Sequence, residues 1–85
     1  MEQPLKYSSN TDITSKVIYV LSLFEKATLD EVATEIVELD GIATEEGVAD
    51  VTIEIREQLN RLHHDGEIKM VTEDDKKTRY SLKES

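Results

Sequence analysis

Arg56 and Asn60 are spaced so that, on a helix, they project side by side one turn apart. A guanidinium and a carboxamide so placed suit the edges of guanine and adenine. Lys69, Lys76, Lys77, Arg79 and Lys83 follow as the one local concentration of positive charge. Such groups neutralise phosphates, with an affinity that falls steeply as salt rises. Together they describe a surface for double-stranded DNA. The chain also carries the opposite chemistry. Glu31, Glu35 and Glu38, with the apolar Ile53, would receive a basic protein partner. Each set has a plainer reading. Arg56 and Asn60 share their face with Ile53 and Glu57 and would then only solvate a helix. Glu73, Asp74 and Asp75 stand beside the lysines, a mixture that keeps a hairpin soluble and its edge unpaired. The acidic band would be a solvated face.

Catalytic and metal chemistry finds no footing. His63 and His64 are adjacent, so on a helix they point about 100° apart and do not form an i, i+4 ligand pair. With no cysteine there is no disulfide framework, thiolate zinc site or cysteine nucleophile. Three glycines form no phosphate-cradling loop, and neither histidine lies in a nucleophile motif. No enzyme activity, metal or cofactor is expected.

The elements that must position these residues are legible from periodicity. Residues 1–11 lack it and are expected to be a flexible tail, or one loosely docked through Leu5 and Tyr7. Residues 12–83 should form one domain. A first helix starts at Thr11 or Asp12 and runs to about Lys26, its stripe being Ile13, Val17, Val20, Leu21 and Phe24, widened by Ile18 and Leu23. Thr28-Leu29-Asp30-Glu31 is a capping box opening a second helix, with Leu29, Val32, Ala33, Ile36 and Val37 inward and Asp40-Gly41 as its stop. Gly41 to Gly47 reads as a connector in which Thr44 can begin a helical turn. In the third helix Val48, Val51, Ile55, Leu59 and Leu62 keep helical spacing, Asp50 can cap, and Asp65-Gly66 closes it. The period then changes to two: Ile68 and Met70, a polar turn at Glu73 to Lys77, then Tyr80 and Leu82 make a two-stranded hairpin closing over the helices.

This order, with Leu59-x-x-Leu62-x-x-x-Gly66-x-Ile68 and the charged hairpin ending Arg79-Tyr80-Ser81-Leu82, resembles the winged helix-turn-helix superfamily of bacterial and archaeal regulators over residues 12–83. The resemblance implies a mainly α fold, a three-helix bundle plus a two-stranded wing. It also implies a role in transcription, with the third helix in the major groove and the wing on the backbone or in the minor groove. Glu35-Ile36-Val37-Glu38-Leu39, a connector, and a long helix into Asp65-Gly66-Glu67-Ile68 are similar in layout to the amino-terminal domain of the RNA polymerase delta subunit and HARE-type domains, which work by protein contact as well.

Charge placement cuts across the DNA reading. Of the net charge of -9, none comes from residues 1–27 (three acids, three bases) or 55–85 (seven of each). All nine excess acids lie between Thr28 and Glu54, which hold no Lys or Arg. In helix-turn-helix complexes the helix before the reader crosses the phosphate backbone, where such a helix would be repelled. At 85 residues the chain supports one small core. Affinity for DNA would then call for a homodimer. No apolar run suits a leader or a membrane span, so a soluble, cytoplasmic protein is expected.

Overall fold

The computed structural model describes residues 11–83, so the expected tail, apart from Thr11, lies outside the described residues. In chain order the elements are α1 (Ile13–Leu23), β1 (Ala27–Thr28), α2 (Leu29–Asp40), α3 (Glu45–His64), β2 (Ile68–Thr72) and β3 (Thr78–Leu82). The fold is mainly helical, with a small antiparallel sheet.

Asp12 caps α1, its carboxylate accepting from the Ser15 amide at 2.9 Å. The helix ends at Leu23, short of the expected Lys26, because the chain must straighten to lay Ala27 and Thr28 beside β3. There Ala27 is wholly buried opposite Tyr80. The sheet therefore has three strands in the order β1-β3-β2 rather than the two of a lone hairpin. The capping box is present: Glu31 N–H donates to Thr28 Oγ1 at 3.2 Å, and Thr28 N–H donates to Glu31 Oε1 at 2.8 Å. An N-cap residue has extended backbone, so Thr28 can end a strand and cap a helix at once.

At the end of α2, Gly41 takes φ 69°, Ile42 N–H reaches Val37 O at 3.0 Å and Gly41 N–H reaches Glu38 O at 3.3 Å. This crossed pair stops the helix and frees Ile42 for the next element. The third helix begins at Glu45 with Thr44 as its cap, so Asp50 lies inside the helix rather than at its start. Gly47 permits this tight entry. A Cβ there would stand 2.8 Å from Ile42 Cγ2 and 2.9 Å from the capping Thr44 Oγ1.

One core joins all the elements. Val17, Val20 and Leu21 of α1 meet Val32, Ala33 and Ile36 of α2 and Val51, Ile55, Leu59 and Leu62 of α3, with Ala27, Ile68 and Tyr80 from the sheet. Three expected core residues are exposed instead: Leu23, Val48 and Met70. Leu23 is the last residue of α1, Val48 lies in the first turns of α3 and Met70 is on the outer strand β2, so the hairpin closes over the helices with Ile68 and Tyr80 but not Met70. Polar ties lock the layers laterally. Thr14 Oγ1 donates to Gln58 Oε1 at 2.7 Å between α1 and α3, and Lys16 Nζ donates to Asp40 Oδ2 at 2.7 Å between α1 and α2.

The hairpin pairs Ile68 with Leu82, Met70 with Tyr80 and Thr72 with Thr78. Its turn closes through Lys76 N–H to Glu73 O and Glu73 N–H to Lys77 O, with Lys76 at φ 66°. That is the left-handed position glycine favours in a three-residue hairpin loop. Lys76→Gly is expected to raise stability by about 1 kcal/mol, the usual scale of the left-handed penalty for a residue with a Cβ. A rise in the urea midpoint checks this. No helix among the described residues is long and apolar enough to cross a membrane.

Candidate functional site

The 12 residues of α2 present two faces. Val32, Ala33 and Ile36 are buried, and what turns outward is Asp30, Glu31, Thr34, Glu38, Leu39 and the half-buried Glu35. This ridge separates two shallow hollows of about 270 Å³ each. One lies between α2 and α3, floored by Ala33, Val37 and Val48 and edged by Asp30 and Glu38. The other lies toward the end of α1, where Phe24 meets Glu31 and Glu35. Asp30 and Thr34 border both, and no lysine or arginine lines either. Of the expected acidic set, Glu31 and Glu35 line the hollow beside Phe24 and Glu38 lines the one beside α3, so the three share the ridge but not one hollow. Ile53 is 47% exposed but lines neither hollow, since it follows Thr52 of the α2–α3 groove by a 100° step around α3.

The nucleic-acid candidates are dispersed. Arg56 and Asn60 are exposed on α3 beside Glu57 and line none of the hollows described here. Lys77 and Arg79 border a groove of about 490 Å³ whose opposite wall carries Asp30 and Glu31. Lys69 lies in another, of about 600 Å³, with Lys26, Lys83 and Glu25 over Phe24 and Leu82. Lys69, Lys76 and Lys77 have no ion-pair partner among the described residues. Lys26, expected at the end of α1, lies beyond that helix. It reaches across to Glu73 at 3.1 Å.

Arg79 is the cation most firmly engaged. Its two terminal nitrogens donate to the two carboxylate oxygens of Asp75 at 3.2 and 3.0 Å, a bidentate fork of the sort phosphate would otherwise take. The fork to Arg79, helped by the Lys77 amide, lowers Asp75 from 3.8 to about 2, while the same contact raises Arg79. A folded-state value below the unfolded one stabilises the turn above pH ~4 and is lost as pH falls toward 2. An NMR titration of the Asp75 carboxyl is expected to show a midpoint well below that of ordinary aspartates. A midpoint near 3.8 would remove the fork from the account.

No group of three or more His, Cys, Asp or Glu side chains among the described residues is arranged to hold a metal ion. No family model, curated protein or solved structure matches the chain. The surface chemistry alone therefore speaks for a function. It divides the molecule into an acidic ridge with apolar flanks and scattered cations that carboxylates partly answer.

Proposed function

We propose that this chain is a non-enzymatic winged-helix module that acts by contact with a basic protein partner, in transcription or its regulation, through the exposed ridge of α2. The element order α1-β1-α2-α3-β2-β3, three helices and a hairpin with a short strand between the first two helices, is compatible with a winged-helix layout. The observation that carries the partner's chemistry is that four carboxylates of α2 border two apolar-floored hollows with no cation in either lining. Such a ridge attracts Lys- and Arg-rich surfaces and repels phosphate. A pull-down from the source cell is expected to recover a stoichiometric basic protein that survives nuclease treatment. Glu35→Lys with Glu38→Lys should abolish its recovery. An undiminished yield from that double variant would sink the proposal.

A second reading, DNA binding by a dimer through α3 and the hairpin, is favoured by one arrangement. Arg56 and Asn60 stand exposed one turn apart, and Lys69, Lys76 and Lys77 are uncommitted among the described residues. It ranks below the first because Asp75 occupies Arg79, and Glu31 and Asp30 face Lys77 and Arg79 across their groove. Both readings place the protein in the cytoplasm.

A further inference from the structure

The groove between α2 and α3 has features that narrow the partner further. Its walls are two helices and its floor is Ala33, Val37 and Val48, the last left uncovered in the first turns of α3. Thr52 lines it too, but its hydroxyl is spent on Val48 O at 2.7 Å, so the side chain adds little free polarity. Asp30 and Glu38 stand at the rim. At about 270 Å³ the groove falls just below the usual range of small-molecule pockets, ~300–1,000 Å³, and suits a row of side chains from a larger partner.

No strand residue lines this groove, and the sheet's two outer strands, β1 and β2, contribute nothing to it. The backbone groups along its walls are held within α2 and α3. An extended peptide lying there would find no ladder to join, leaving its own amides and carbonyls without protein partners. A helix brings its backbone hydrogen bonds with it. The geometry points to a cationic amphipathic helix of a partner protein as the occupant: one apolar stripe seated on Ala33, Val37 and Val48, with Lys or Arg on its flanks meeting Asp30 and Glu38. The inference rests on the acidic ridge being the contact surface and adds the groove and the partner's secondary structure.

Fluorescence anisotropy of the full chain with two labelled Leu/Lys peptides of identical composition tests this. Each spans about four helical turns. One places Leu at i, i+3, i+4 and i+7, and the other scatters it. The stripe peptide should bind at least about tenfold more tightly than the scattered one. Val48→Asp separates apolar seating from simple attraction, since it removes floor while adding negative charge. It is expected to weaken the stripe peptide about tenfold. Thr34→Lys, at an exposed position of the opposite wall, should do the same and covers any misfolding of the Val48 variant, which far-UV circular dichroism would reveal. Equal binding of the two peptides, or tighter binding by Val48→Asp, overturns the groove and leaves the acidic ridge standing. Binding of neither peptide also overturns the groove, whereas the ridge itself falls only by undiminished partner recovery with Glu35→Lys and Glu38→Lys.

Discussion

Ile55→Ala is expected to lower the unfolding free energy by about 3 to 4 kcal/mol, the middle of the range for a buried isoleucine truncated to alanine. Ile55 is fully buried, and α3, which carries it, packs against α1, α2 and β2. Its neighbours along the helix, Val51 and Leu59, are themselves buried and fixed by the same backbone. The space it leaves has little means of collapsing, because Thr14–Gln58 and Lys16–Asp40 hold α1 against α3 and α2. Small domains hold only about 5–15 kcal/mol in total, so the loss would approach half. Urea denaturation reads it as a lower midpoint at unchanged slope. Ile53→Ala, two residues away and exposed, should change stability by less than about 0.5 kcal/mol. Equal effects at the two positions would contradict the orientation of α3.

Lys16→Met is expected to cost about 2 to 3 kcal/mol despite preserving most of the side chain's apolar bulk. The Lys16 and Asp40 side chains are only 11% and 12% exposed, so their pairing at 2.7 Å is shielded from water. Asp40 is also the last residue of α2, where the helix dipole is negative and disfavours a carboxylate. Lys16 offsets both burdens. Its removal takes the ammonium partner at 2.7 Å from a nearly buried carboxylate at an unfavourable helix end, a loss of about 3–5 kcal/mol for fully buried pairs and less here for the remaining exposure. The double variant Lys16→Met with Asp40→Leu should recover much of the loss, because burying neither charge avoids the desolvation penalty. Additive losses in that cycle would show that the pair is not coupled.

The capping box at Thr28 and the stops at Gly41 and Gly66 were legible in the sequence because each is set by residues within a few positions of one another. The short strand β1 was not. Two residues carry no period, and Thr28 also reads as a cap, a role that uses the same extended backbone. The start of α3 is hidden for a related reason. Thr44 and Asp50 can both cap, and Gly47 resembles connector, whereas its role is to admit Ile42 and Thr44 close to the first turn. Periodicity identified the inward faces but not where the covering element stops. That is why Leu23, at the end of α1, and Val48, near the start of α3, lie outside the core, whereas Met70 is exposed because β2 is an outer strand.

For the surface, the position of the charge was readable and its grouping was not. Nine acids without a base between Thr28 and Glu54 remain an acidic region whatever the fold. That Asp75 would hold Arg79 in a fork, that Lys26 would join Lys69 and Lys83, and that Ile53 would turn away from the α2–α3 groove depend on the hairpin turn, the early end of α1 and the angular phase of α3. None of these is a local property of sequence.

Amide chemical-shift mapping of the full chain, titrated in parallel with the amphipathic Leu/Lys peptide and with a random DNA duplex at low salt, tests the central claim most directly. The peptide is expected to move the resonances of Asp30, Thr34, Glu38, Val48 and Thr52, and the duplex to leave the spectrum unchanged. Movement of Arg56, Asn60, Lys76 and Lys77 by the duplex, with the α2 resonances still in the presence of the peptide, would contradict it.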